Sequence, residues 1–303
     1  MIIEFELLKF PFCDFAKNDE FHSLISRIFF SSPYFCGSYK YKGRLSSQVL
    51  KYISYKIKAV SKHKVHSPFV YDLIIDVFEN DNSYYSFPAV ELVRKKLLQS
   101  KRFLQVDDMG AGSRVFNSNQ RKIKSIAKHS AKKPKYAQLL FRMVNYYHPN
   151  TILELGTSLG LTTAYLAKAR KKAEVYTLEG SPEICEVAKD TFKSLRLNNV
   201  QILQGNFNDT LPEILSKITV LDFVFFDGNH QKKPTLDYFN KCLEKANEHS
   251  VFVFDDIHWS DEMTEAWEDI KNHSKVTLSV DIFQLGIVFF RSGVEKQHFV
   301  LHY

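Results

Sequence analysis

Cysteine is scarce in this chain, and the four present (Cys13, Cys36, Cys185, Cys242) are too far apart to form a CxxC pair. That spacing speaks against a zinc site or a disulfide framework and points to reduced thiols in a cytoplasmic protein. Long apolar runs are missing as well, since none reaches the roughly 18 residues of a membrane span. The opening MIIEFELLKFPF places Glu4 and Glu6 where a secretory signal needs positive charge, and no small-residue cleavage site follows. Nor is there a shortage of core-forming residues: at 45% hydrophobic and 25% charged, 303 residues can bury a core without metal or disulfide.

What the chain does have is a lopsided charge. Residues 1–150 carry 25 Lys and Arg against 12 Asp and Glu, whereas residues 151–303 carry 16 against 22. Different tasks are expected of the two halves, with a mainly helical basic region over 1–148 and an α/β domain over 149–303. The first 45 residues show no clean period. From Leu45 the apolar residues Val49, Ile53, Ile57 and Val60 fall on one helical stripe. The residue before Pro68 is pushed out of the α region, so HSPF ends that helix. VYDLIIDVFEN, Val90–Leu98 and the lysine-rich stretch Arg121–Tyr147 follow as helices, the last interrupted near Pro134. VDDMGAGS (106–113) is a Gly-rich loop with no acid-ended strand after it, so a plain turn or a lid over the site is expected there.

After Pro149 the rhythm becomes strand, loop, helix, repeated. TILEL, EVYTLE, VQILQG, LDFVFFDG and VFVFDD read as continuous apolar strands, as parallel strands buried on both faces do. VTLSVDIF and LGIVFFR are parted by Gln284 alone, which permits only an antiparallel hairpin. The expected fold is therefore α/β: a Rossmann-like, mostly parallel sheet of seven strands with an antiparallel C-terminal hairpin.

Gly156 and Gly160 stand between the first of these strands and a helix, where the backbone must turn tightly and a ligand can approach it. Glu179 ends the next strand, where an acid can accept hydrogen bonds from a ribose. ELGTSLG, YTLEGSPE, LQGNFNDTL, LDFVFFDGNH and VFVFDD together resemble the successive motifs of class I S-adenosylmethionine-dependent methyltransferases. The resemblance implies that Glu154, Gly156, Thr157, Ser158 and Gly160 wrap the cofactor's methionine part and that Glu179 takes the ribose hydroxyls. By the same resemblance Gly180 and Ser181 flank the sugar, and Asn206 and Phe207 lie by the adenine. Asn206 departs from the Asp that many relatives carry there.

Asp227, Asp255 and Asp256 end the fourth and fifth strands, and both ends open on the carboxyl edge of a parallel sheet. Three carboxylates converging there repel one another unless a cation, a proton or a cationic ligand intervenes. Such oxygen ligands suit Mg²⁺. DGNH followed by FDD is similar to the metal-dependent O-methyltransferases of the DGxH type, which implies Asp227, Asp255 and Asp256 as metal ligands and His230 with Asp227 as catalytic residues. His230 would be the general base. A non-metal reading stands beside it, in which Asp227 contacts cofactor or water and Asp255 and Asp256 cap the next helix. His258 and His66 are expected to be structural loop residues.

The leading expectation is O-methylation of a small-molecule hydroxyl, with the basic half as lid, homodimer surface or acceptor pocket. RNA methylation is the second, carried by RKIK and KHSAKKPK but lacking any known RNA-binding motif or NPPY-type loop. A cofactor-binding protein without turnover is the third.

Overall fold

The computed structural model describes residues 47–106 and 120–303. The first 45 residues and nearly all of the VDDMGAGS loop lie outside that range.

Among the described residues five α-helices precede the main sheet. Helix α1 (Ser47–Lys58) docks through aromatic side chains rather than through the expected aliphatic stripe: Tyr55 is its buried residue, while Ile57 is exposed. The cause is the partner surface, which offers the Phe283 ring and a backbone acceptor: the Tyr55 hydroxyl donates to the Leu301 carbonyl at 2.6 Å. Helix α1 ends at Lys58, well before HSPF, and helix α2 (Pro68–Asp72) starts at Pro68, two residues before the expected Val70, then continues as a π-helical turn (Leu73–Phe78). Helix α3 (Ser86–Gln99) begins a few residues before the expected Val90. A short antiparallel pair, β1 (Phe103–Gln105) and β2 (Gln120–Lys122), leads into α4 (Ile123–His129). Pro134 then opens α5 (Pro134–Tyr147), where its missing N–H costs nothing.

The α/β part runs β3 (Thr151–Leu155), α6 (Leu161–Ala169), β4 (Glu174–Glu179), α7 (Pro182–Ser194), β5 (Val200–Gln204) and α8 (Phe207–Lys217). It goes on with β6 (Phe223–Phe226), α9 (Lys232–Leu243), β7 (Val251–Asp255), α10 (Asp261–Asn272), β8 (Leu278–Asp281), β9 (Leu285–Phe289) and β10 (Gln297–Val300). The sheet order is β10-β8-β9-β7-β6-β3-β4-β5. Strands β3 to β7 are parallel, and β9 inserts antiparallel between β7 and β8, so the expected hairpin is present. The sheet has one strand more than expected, because β10 pairs parallel with β8. QHFV escaped notice because it is a short, largely exposed edge strand with no apolar alternation.

Both faces of the sheet are covered. On β6, Phe223 and Phe225 point into a core shared with α2 and α5, while Val224 and Phe226 point into a second core with α8, α9 and α10. Helices α2 and α5 therefore help to line one of the sheet's two cores. Each fully buried Phe contributes about 2–3 kcal/mol, which makes the center of this sheet the rigid platform for whatever its edge carries.

Strand order reverses between β3 and β6: from β3 the chain winds outward to β4 and β5, then returns to β6 on the other side. In open parallel sheets such a switch point leaves a crevice at the carboxyl ends of the strands, where ligands bind.

Candidate functional site

The residues at that crevice are built by tight local turns. After β3, the amides of Gly156 and Thr157 both donate to the Leu178 carbonyl, at 3.0 and 3.1 Å, and Gly160 N–H donates to the Thr157 carbonyl at 3.0 Å. Gly156 has φ +107°, and a Cβ there would lie 2.2 Å from the Asp227 carbonyl oxygen. Only glycine lets the β3 and β6 ends approach this closely. Ser158 adopts a left-handed backbone (φ 48°), as do Asn229 (54°) and Asp256 (52°), so the ends of β3, β6 and β7 each carry one such residue. Strained backbone of this kind clusters at functional sites.

Glu179, at the tip of β4, accepts hydrogen bonds from two of these turns: Ser158 N–H at 2.9 Å and Ser181 N–H at 3.0 Å. Its carboxylate thus pins the glycine turn to the β4–α7 turn, which contains Gly180 and the α7 N-cap residue Ser181. Glu154 is fully buried beneath them. Its Oε2 accepts from Thr163 Oγ1 and, at 2.6 Å, from Thr177 Oγ1. Burial pushes its pKa up to about 7, against the pull of those two hydrogen bonds. Glu154 Oε1, Ser158 Oγ and Ser181 Oγ are buried polar atoms without a hydrogen-bond partner. Buried polar atoms are nearly always satisfied, so these three fit a site that receives a polar ligand. Thr157 is placed differently from expectation: its hydroxyl is 2.6 Å from Thr177 Oγ1 and serves the internal network under the turn.

Beyond β5, Asn206 caps α8 by accepting from Asn208 N–H at 2.8 Å. Phe207 lies edge-on to Tyr238 at 5.9 Å, and its ring abuts Gly228, where a Cβ would sit 2.6 Å from Phe207 Cε2. The apolar ring and the DGNH loop are therefore neighbors. Asn229 Nδ2 donates to the Tyr238 hydroxyl at 3.3 Å and ties that loop to α9.

Two of the three carboxylates expected together, Asp227 and Asp255, meet at the sheet edge, with one addition that sequence reading missed. Asp227, Asp255 and His230 each offer a ligand atom, all lying within 4.8 Å of one another, and His230 Nε2 is 3.7 Å from Asp227 Oδ1. Asp256 is outside that set, although its charge is felt by the others. The addition is Lys132, from the turn between α4 and α5, whose ammonium forms an ion pair with Asp255 Oδ2. Burial opposes the lysine's charge, but Asp255, Asp227 and Asp256 outweigh it and hold its pKa above the ordinary range. Burial and the Asp255 charge push Asp227 well above the usual carboxylate range, and the same two causes raise Asp256. Asp255 moves the other way: burial would raise it, yet the adjacent Lys132 holds it below the usual range. The donor set would suit a divalent ion, but a positive charge is already in contact with its most buried carboxylate. Sequence reading had one usable signal, the requirement that converging carboxylates find a cation; it assigned Lys132 to an exposed basic run instead.

His258 stands outside the cluster, as expected. Its Nε2 is 2.8 Å from Asp281 Oδ2, and its ring stacks on Phe283 at 5.3 Å. His66 is exposed beside the α2 turn.

Residues 153–257 match a family model described as a methyltransferase domain. A catechol O-methyltransferase of Niastella koreensis is 31% identical over 126 residues, which are 41% of this chain and 55% of that protein. The chain thus spans about half the length of this curated relative. Among solved structures, the SAH-bound methyltransferase of Podospora anserina superposes with a TM-score of 0.52 at 13% identity, covering 75% of this chain and 97% of that structure. The Bacillus cereus O-methyltransferase in complex with SAH gives 0.50 at 18% identity, over 78% and 99%. The fold is that of class I methyltransferases.

Proposed function

Because residues 153–257 carry a methyltransferase domain, we propose that this protein transfers the methyl group of S-adenosylmethionine to a hydroxyl oxygen of a small molecule. The observation that carries the reading is the convergence, at one switch point, of the glycine turn pinned by Glu179 and the Asp227, His230 and Asp255 cluster. The buried unpartnered atoms of Glu154, Ser158 and Ser181 fit the polar methionine and ribose groups of such a cofactor. Glu179 and Ser181 would hold the sugar, and Phe207 would pack against the base.

The cofactor supplies a methyl group already activated on a sulfonium. The protein's own task is alignment and proton removal. His230, half-exposed beside Asp227, takes the acceptor's proton, and Asp227 stabilizes the imidazolium that results. The catechol O-methyltransferase relative makes vicinal diols the first acceptor class to try. The turn between α4 and α5, which brings Lys132 to Asp255, serves as acceptor-side cover for the site, and the cytoplasm is the protein's expected location. Among the described residues no helix is long and apolar enough to cross a membrane.

The test is mass spectrometry of the products formed from S-adenosylmethionine and a panel of catechols, simple phenols and sugar hydroxyls. Methylated product is expected from at least one class, and none from any would remove the reading. His230→Gln should lower kcat by about 100-fold and leave the affinity for S-adenosylhomocysteine unchanged.

A further inference from the structure

We propose that the ammonium of Lys132 is the resident cation of the Asp227, His230 and Asp255 cluster, so that this site works without a divalent metal. The inference deepens the methyl-transfer reading of the same site. Three observations carry it. The first is position: Lys132 leaves only a tenth of its side chain exposed and pairs with Asp255, whose side chain is 2% exposed. A lysine buried to that degree needs compensating charge, and here carboxylates provide it.

The second is how the lysine is held. Ser130 and Ala131 N–H both donate to the Ile126 carbonyl, at 2.8 and 3.2 Å, closing the end of α4. Pro134 fixes the start of α5 two residues beyond Lys132. The turn is thus set at both ends, and Ala131 packs with the cluster around Phe141 and Tyr165. Neighbors Lys124, Lys128, Lys133 and Lys135 are exposed, whereas Lys132 turns inward to Asp255.

The third is the remaining acceptor capacity. Asp255 Oδ1 is buried and has no hydrogen-bond partner, while a carboxylate oxygen of Asp227 and a ring nitrogen of His230 lie within 4.8 Å of an Asp255 oxygen. A hydroxyl entering among them can donate its proton to His230 and place its own oxygen near the ammonium, and a neighboring hydroxyl of the same molecule can donate to Asp255 Oδ1. That is the service a hard metal ion would give, namely charge compensation and orientation of an acceptor oxygen, delivered by a side chain. A divalent ion would have to displace the lysine from Asp255, leaving an ammonium stranded in a buried place.

The experiment is titration of the full-length protein with Mn²⁺ alone, followed by electron paramagnetic resonance. Wild type should bind no Mn²⁺ stoichiometrically, whereas Lys132→Met should gain one site at least about 100-fold tighter. Adding Asp255→Asn to that variant should abolish the site. A wild type that binds one equivalent as tightly as Lys132→Met overturns the proposal; so does a Lys132→Met protein that neither binds Mn²⁺ nor loses thermal stability. Should Lys132→Met not fold, Lys132→Arg and wild type decide: both refuse Mn²⁺ if the proposal holds, and binding by either contradicts it. Calorimetry with S-adenosylhomocysteine on the same samples separates the two ideas, because lost cofactor binding with this metal pattern intact strikes the methyl-transfer reading and not the lysine assignment.

Discussion

At the scale of single residues, Gly156 and Glu154 bear the most weight. Gly156 combines a positive φ with a backbone carbonyl where a Cβ would go, so Gly156→Ala must move β3 away from β6. The expected cost is at least about 2 kcal/mol, read from urea denaturation, together with loss of cofactor binding; an alanine variant of wild-type stability would refute the close approach. Glu154 makes a prediction of opposite kind. Its folded-state pKa is raised, from near 4.5 to about 7, by burial. An acid raised in this way binds its proton more tightly folded than unfolded, so its contribution to stability is full below about 4.5 and is lost as pH climbs to about 7. In Glu154→Gln that decline, roughly 3 kcal/mol at most, should vanish from the stability profile of the ligand-free protein. Identical profiles for the two proteins would show that Glu154 is not protonated in the fold.

The elements explain what could be read ahead of the structure. Gly156, Gly160 and Glu179 belong to one β3–α6–β4 unit, and their roles follow from short-range spacing, which a sequence displays directly. Asp227 and Asp255 were legible for the same reason, as the ends of apolar strands whose parallel order fixes which edge they share. Lys132 was not, because it lies 123 residues before Asp255 and reaches the site only through the turn between α4 and α5. Nothing local distinguishes it from Lys128 or Lys133 beside it. Asn206 shows a residue with two uses: it was read as an adenine contact, and its side chain caps α8. Asn206→Ala should therefore cost about 1 kcal/mol in thermal or urea unfolding even without cofactor. A stability loss seen only in the presence of cofactor would mean that the cap contributes nothing.

For the molecule as a whole, the uneven charge takes on a physical meaning. The acidic α/β half gathers carboxylates at the switch point, and the basic region lends Lys132 to them while its helices α2 and α5 help to line one of the sheet's two cores. Both halves thus converge on one site, and the account stands on that site holding a nucleoside-bearing methyl donor. The direct test is calorimetry of the full-length protein with S-adenosylhomocysteine. One equivalent should bind with measurable heat, and no heat with either this product or S-adenosylmethionine would contradict the account.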